Sequence, residues 1–149
     1  MKLGVGSDHA GYQAKEHLKR WLAERGHEVE DVGTHGTASV DYPDYAGQVG
    51  RLVASGTVKL GLLVCGSGIG MSIAANKVKG VRAAVCSEPF SSRFSRMHND
   101  ANVLCLGARV TGLGLMEDTL EAFLNAAFEG GRHANRVEKI GRLENDCGC

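Results

Sequence analysis

Short apolar runs and longer stretches of helical periodicity alternate along this chain. Five runs of four to six residues, bounded by glycine or polar residues, predict buried β-strands at 3–6, 29–32, 60–65, 81–86 and 103–106. After the first run, Ala14, Leu18 and Trp21 recur among charged residues until Gly26, the pattern of an amphipathic helix with a glycine stop. Comparable patterns predict helices at 41–56, 70–77, 89–99, 112–128 and 134–143.

The regular alternation of strand and helix predicts one α/β domain over residues 1–149. Parallel strands joined by helical crossovers form an open sheet that is covered on both faces. We therefore expect a three-layer, doubly wound (Rossmann-like) five-stranded parallel sheet with a C-terminal helical tail from about residue 130. Ligands of such sheets bind beyond the carboxyl ends of the strands, so the residues that follow each run are the first candidates for chemistry.

Composition excludes several classes of partner. Lysine plus arginine and aspartate plus glutamate both count 17, so no net charge favours nucleic acid or an anionic membrane. No apolar stretch approaches the ~20 residues of a membrane span, and the first strand follows Met1 without the anatomy of a signal peptide. The five cysteines are an odd number, which argues against a secreted disulfide framework. We expect a cytoplasmic protein that binds neither nucleic acid nor membrane.

Two strand ends carry groups suited to catalysis. The first strand runs into Ser7-Asp8-His9-Ala10-Gly11, which offers a carboxylate and an imidazole, although capping of the next helix by Ser7 or Asp8 explains the same residues. The third strand ends in Cys65-Gly66-Ser67-Gly68-Ile69-Gly70, whose backbone amides and following helix can bind an anion and favour a thiolate at Cys65. This loop is consistent with a thiolate base, with an inert core cysteine, or with a cradle for a nucleotide phosphate.

Further candidates surround the fifth strand and the tail. His98, in Arg96-Met97-His98-Asn99-Asp100-Ala101-Asn102, can act as a general acid or base, or be a surface histidine beside a capping Asn99. Arg109 follows the fifth strand. Arg132 and Arg136 share one face if a helix covers both, which suits a phosphate clamp as well as a solvated basic face.

Seven segments of the chain also keep the order and spacing of an enzyme family. They are Ser7-Asp8-His9-Ala10-Gly11, Asp41-Tyr42-Pro43-Asp44, Cys65-Gly66-Ser67-Gly68-Ile69-Gly70-Met71-Ser72, Ala74-Ala75-Asn76-Lys77, Arg96-Met97-His98-Asn99-Asp100-Ala101-Asn102, Gly107-Ala108-Arg109 and Gly131-Arg132-His133. Together they resemble the ribose-5-phosphate isomerase B family, which includes allose-6-phosphate and galactose-6-phosphate isomerases.

The resemblance implies an aldose–ketose isomerase of the pentose phosphate pathway that interconverts ribose 5-phosphate and ribulose 5-phosphate through an enediolate. Cys65 would carry the proton, with Ser67 beside it, and His98 would open the sugar ring. One branch of the family uses a glutamate as its base at the position of Met71 in this chain. Because methionine cannot act as a base, the resemblance assigns that role to Cys65. The implied substrate-binding residues are Asp8, His9, Tyr42, Gly66, Ser67, Gly68, Ile69, Gly70, Asn99, Arg109, Arg132 and Arg136, with His9 and the three arginines on the phosphate.

The resemblance also has implications for cofactors and assembly. Aldose–ketose exchange needs a base, polarised oxygens and a phosphate anchor, so no cofactor and no metal is implied. The resemblance implies a homodimer or a dimer of dimers whose active sites are shared between subunits. The tail from about residue 130 would then pack on the partner subunit.

Other functions fit parts of the pattern. A hexose phosphate substrate would keep the mechanism, although the galactose type works as paired unlike subunits and resembles this chain less. A non-catalytic flavodoxin-like module would bind a nucleotide, but the glycine loop lacks the lysine of a P-loop, and Asp8 places an anion where phosphates would lie. A thiol redox enzyme would need a second cysteine where Gly68 stands. Cys147 and Cys149 match no family role, and we expect a frayed terminus there.

Overall fold

The computed structural model describes residues 1–146, in which strands and helices alternate up to the final helix. Within these residues, no helix combines the length and the apolar character needed to cross a membrane. Cys147 and Cys149 lie outside the described residues. The strands are β1 (Lys2–Ser7), β2 (Glu28–Gly33), β3 (Leu60–Cys65), β4 (Ala83–Val85) and β5 (Val103–Gly107), and the helices are α1 (Tyr12–Glu24), α2 (Tyr42–Ala54), α3 (Ile69–Ala75), α4 (Pro89–Asn99), α5 (Leu113–Asn125) and α6 (Arg132–Asp146).

The strands form one parallel sheet in the order β2-β1-β3-β5-β4. Helices α1 and α5 cover one face with a core that includes Leu18 and Phe123. Helices α2 and α3 cover the other face with a core that includes Val49 and Met71. Helix α4 lies beside α5. The predicted three-layer, doubly wound sheet is therefore confirmed.

Strand β4 and helix α5 are among the elements that are shorter than their sequence patterns predict. Strand β4 covers three residues of the run at 81–86, because asparagine side chains take the backbone groups at its start. The Arg82 amide donates to Asn102 Oδ1 at 2.7 Å, and the Ala83 amide donates to Asn76 Oδ1 at 2.8 Å. Helix α5 ends at Asn125 rather than at 128, because the next residue is extended (φ −84°, ψ 143°).

The two ends of the sheet carry different residues. Strand β2 lies on one side of β1 and β3 lies on the other, so the direction of strand addition reverses between β1 and β3. The carboxyl ends of these two strands therefore flank the switch point, where open α/β sheets bind ligands. Helix α4 returns the chain to the opposite end, where the Asn102 carbonyl accepts from the Gly61 amide at the start of β3 (2.9 Å). A six-residue strand spans about 20 Å, so the end of α4 lies about one strand length from the switch point.

A buried ion pair joins α1 to β2. The Lys15 side chain is fully buried, and its Nζ donates to both carboxylate oxygens of Asp31 at 2.7 Å. Lys19 also donates to this carboxylate, and the Gly33 amide donates at 2.9 Å. Burial alone would raise the pKa of this carboxyl, but the hydrogen bonds from Lys15, Lys19 and Gly33 outweigh it and lower the pKa. The pair therefore holds the end of β2, from which the chain leads towards α2.

Removal of one partner from this pair is expected to destabilise the fold. Asp31→Ala should lower the free energy of unfolding by about 3 kcal/mol, because it leaves the Lys15 ammonium buried without its bidentate partner. Urea unfolding at pH 7, followed by circular dichroism, measures this difference. The double variant Lys15→Met/Asp31→Leu, which removes both charges, should lose far less.

The pH dependence of that loss gives a second check. Because the folded pKa of Asp31 is lowered, its contribution is complete above the ordinary value of 3.8 and is lost as the pH falls through the lower folded value. The gap between the wild type and Asp31→Ala should therefore shrink in acid. A gap of equal size at pH 7 and in acid would contradict this account.

Candidate active site

A cavity of about 350 Å³ opens at the switch point between β1 and β3. Two larger cavities, of about 610 and 720 Å³, lie beside α6 and between α4 and α5, and neither has a cysteine in its lining. The smaller cavity is therefore the candidate active site because of the residues that line it, not because of its volume. Its lining residues are Asp8, Tyr42, Cys65, Gly66, Ser67, Gly70, Arg109 and Val110.

Cys65 is the last residue of β3, and 5% of its surface is exposed. The Gly68 amide donates to its Sγ at 3.1 Å, so the loop backbone directs a hydrogen bond at the sulfur. Gly68 has a left-handed backbone (φ 80°), which glycine adopts without strain, and it leads the loop into α3. The Ile69 amide donates to Ser67 Oγ at 3.3 Å, which leaves the hydroxyl proton of Ser67 for another acceptor.

The turn after β5 holds the glycine loop in place. The Ala108 amide donates to the Cys65 carbonyl at 2.8 Å, and the Arg109 amide donates to the Gly66 carbonyl at 2.9 Å. Gly107 allows this approach, because a Cβ at that position would lie 2.7 Å from the loop backbone. The same hydrogen bonds bring the cationic side chain of Arg109 to the cavity.

The other two described cysteines are buried thiols outside the cavity lining. Burial raises the pKa of Cys86 to about 11, with a further contribution from the Glu88 carboxylate. Burial also raises the pKa of Cys105 well above its usual range. Among the described thiols, Cys65 is therefore the one that is placed for chemistry.

Asp8, His9 and Tyr42 come from the segments beside the cavity. Asp8 is buried, and its Oδ1 accepts from the Gly11 amide at 3.0 Å, so one carboxylate both stabilises the start of α1 and lines the cavity. His9 Nδ1 accepts from the Val40 amide at 3.2 Å. Its Nε2 therefore carries the proton of the neutral ring and can donate to an anion. Tyr42, the first residue of α2, is 40% exposed.

A second group of predicted site residues lies at the opposite end of the sheet. His98 and Asn99 are the last two residues of α4, which ends at a left-handed Asp100 (φ 46°). Arg132 and Arg136 are exposed on the first turns of α6. One helix therefore covers both arginines and places them one turn apart on one face, as their spacing predicts.

The structure thus divides the predicted site residues between two places. The group at the carboxyl end holds the thiol and the glycine loop, with Gly68 and Ile69 inside that loop and His9 directly after Asp8, which lines the cavity. The group at the amino end does not reach this cavity within one chain. It comprises His98, Asn99, Arg132 and Arg136.

Sequence reasoning missed two side chains next to His98. The imidazole of His133 stacks on that of His98, with ring centroids 4.1 Å apart and an interplanar angle of 5°. Glu129 Oε2 lies 3.6 Å from His98 Nε2 and 3.5 Å from His133 Nε2. The four-residue spacing of Glu129 and His133 was a signal for their proximity, but it did not indicate which third residue they would contact.

Comparisons with known proteins identify the family. The family described as Ribose/Galactose Isomerase matches residues 3–140. Ribose-5-phosphate isomerase B of Escherichia coli (strain K12) is 52% identical over 143 residues, which are 96% of each chain. The structure of ribose-5-phosphate isomerase B from Clostridium thermocellum gives a TM-score of 0.97 at 54% identity and covers 97% of this chain and 98% of that chain. The structure of ribose-5-phosphate isomerase B from Mycoplasma genitalium with bound ribulose 5-phosphate gives a TM-score of 0.93 at 39% identity over 97% of each chain. The chain belongs to the ribose/galactose isomerase family, as its motifs predict.

Proposed function

We propose that this protein interconverts ribose 5-phosphate and ribulose 5-phosphate, with Cys65 as the base. The observation that carries the proposal is the Cys65 thiol at the switch-point cavity, with a backbone amide on its sulfur and the cationic side chain of Arg109 in the same lining. The relative from Escherichia coli, with 52% identity over nearly the whole chain, is named for this reaction. The reaction places the enzyme in the pentose phosphate pathway, and we assign it to the cytoplasm.

In this reaction a proton moves between two adjacent carbons of the open sugar. The Cys65 thiolate takes the proton from C2 of the aldose, and the C–H electrons form the C1–C2 double bond of an enediolate. Backbone amides of the loop from Gly66 to Gly70, with the Ser67 hydroxyl, donate to the enediolate oxygens. Cys65 then returns the proton to C1 while the hydroxyl proton passes from O2 to O1, which gives the ketose.

The remaining residues bind the substrate. His9 presents an Nε2 proton and Arg109 a guanidinium, and both suit a phosphate group at the rim of the cavity. Asp8 and Tyr42 offer oxygen atoms to the sugar hydroxyls. Phosphate binding away from the reacting carbons orients them over the thiol.

We further propose a homodimer, alone or paired into a dimer of dimers. His98, Asn99, Arg132 and Arg136 complete the site only if they come from a second copy, since they lie about one strand length from Cys65 (about 20 Å) within one chain. A two-fold interface can place the amino end of each chain against the carboxyl end of the other and so form two equal sites. In each site, His98 of the second copy opens the furanose ring, Asn99 binds a sugar hydroxyl, and the two arginines bind phosphate.

The test is isomerisation by the purified, chelator-treated protein. Ribulose 5-phosphate formation from ribose 5-phosphate is followed, with allose 6-phosphate and galactose 6-phosphate run in parallel. Fast turnover of the pentose phosphate is the expected result. Turnover of a hexose phosphate alone would keep the mechanism and change the substrate, whereas absence of all three activities would overturn the proposal.

A further inference from the structure

The imidazole of His98 is held between two other rings. On one side, the ring of Phe94 meets it edge to face, with centroids 4.8 Å apart at an angle of 67°. On the other side, the ring of His133 lies parallel to it at 4.1 Å. Phe90 continues the series, with its centroid 4.4 Å from that of Phe94. Phe90, Phe94 and His98 thus form a row of rings along α4, and His98 is the ring in this row that contacts α6.

The backbone around His133 fixes the position of its ring. The Glu129 amide donates to the Met97 carbonyl at 3.0 Å, which ties the turn before α6 to α4. Gly130 and Gly131 then reverse the chain with positive φ angles of 67° and 54°. His133 is 6% exposed, unlike the exposed Arg132 before it. Its ring is thus a packed part of the structure, placed directly against His98.

The ligand atoms of His98, Glu129 and His133 lie within 4.8 Å of one another, as in a metal site, but the orientation of the two rings argues against one. An imidazole binds a metal ion in the plane of its ring. The rings of His98 and His133 are parallel and stacked, so a single ion cannot lie in both planes. The arrangement instead suits one imidazole supporting the other.

We propose that His133 is a positioning residue for His98: its stacked ring holds the imidazole of His98 in the orientation that opens the sugar ring. This inference rests on the proposed function, in which His98 handles the ring-opening protons. In that step the C1 hydroxyl loses its proton, its electrons form the C1 carbonyl, the C1–O4 bond breaks, and O4 takes up a proton. An imidazole that delivers and collects protons at two oxygens must keep its plane, which a flat neighbour enforces.

The charges around the stack fit this role. The Glu129 carboxylate, 3.6 Å from His98 Nε2, balances the imidazolium when His98 carries the proton. Burial lowers the pKa of His133, and the positive charges of His98 and Arg132 lower it further, against the opposing effect of Glu129. The lowered pKa favours the neutral form of His133, which limits charge repulsion within the stack.

The experiment compares His133→Leu with His133→Phe, because both are apolar and only phenylalanine keeps a flat ring. The first readout is kcat for ribulose 5-phosphate formation from ribose 5-phosphate, which includes ring opening. The second is deuterium exchange from heavy water into C1 of ribulose 5-phosphate. That ketose cannot close to a furanose because its C5 oxygen carries the phosphate, so the exchange requires Cys65 but no ring opening.

His133→Leu should lower kcat about tenfold, which is a fraction of what a general acid–base group contributes. The rate of deuterium exchange at C1 should stay within about twofold of the wild type. His133→Phe should keep most of both. Equal losses of both readouts in His133→Leu, or equal kcat in the two variants, would overturn the positioning role. Failure of the proposed function is distinguishable from these outcomes, because the wild type would then show neither readout.

Discussion

Cys65→Ala is expected to lower the turnover of ribose 5-phosphate by at least about a thousandfold, within the range that a general base contributes. Alanine removes the hydrogen bond from the Gly68 amide to Sγ, but it keeps the two that the Ala108 and Arg109 amides donate to the backbone carbonyls of Cys65 and Gly66. Substrate affinity should therefore change little, since the phosphate and hydroxyl contacts remain. Steady-state kinetics measure turnover, and calorimetric titration with ribose 5-phosphate measures affinity.

Cys86→Ala is the matched control for this variant. Cys86 is also a buried cysteine at the end of an apolar run, but burial raises the pKa of its thiol to about 11 and it lies outside the cavity lining. Its removal should leave turnover within about twofold of the wild type, because core cysteines act as small hydrophobic residues. Retained turnover in Cys65→Ala, or an equal loss in both variants, would move the base to another residue.

Mixing two inactive variants is expected to restore activity if sites are shared between subunits. Cys65→Ala removes the group at the carboxyl end, and His98→Ala removes the group at the amino end of the sheet. In a mixed dimer one site receives both lesions and the other receives none. With random pairing, half of the dimers are mixed and each has one intact site, so about a quarter of the wild-type activity should return.

The control mixes Cys65→Ala with Cys65→Ser, where every site keeps a lesion and no activity should return. Both mixtures are unfolded and refolded together, and native mass spectrometry of differently tagged chains confirms that mixed dimers form. Recovery in the first mixture alone is the expected result. No recovery despite mixed dimers would contradict shared sites and require a rearrangement that brings His98 to Cys65 within one chain.

The parts of the fold that follow from local patterns could be predicted from the sequence. The run from Leu60 to Cys65 is apolar throughout because β3 lies in the middle of a parallel sheet with both faces covered, and its predicted bounds are those observed. Helix α4 also begins and ends where the pattern predicts, with Pro89 in its first turn. Strand β4 could not be delimited, because its start depends on hydrogen bonds from distant asparagines.

The layout of the candidate site was harder to predict than the strands and helices. The motifs name Cys65 and His98 together, but the motifs alone do not show that the two residues lie at opposite ends of the sheet. That separation follows from the parallel crossover, in which α4 returns the chain from the carboxyl end of β4 to the amino end of β5. The stack of His133 on His98 was missed for a similar reason, because it depends on how the turn at Gly130 and Gly131 returns the chain to α4.

The division of the site between two ends of the sheet also has an evolutionary consequence. After a gene duplication, one copy can lose the cysteine end and the other the histidine end, and the pair still assembles one complete centre. Selection then acts on the two copies as an obligate couple, since neither alone has activity to preserve. This chain has both residues, Cys65 at one end and His98 at the other, so under the proposed shared site a single gene encodes both halves of each site.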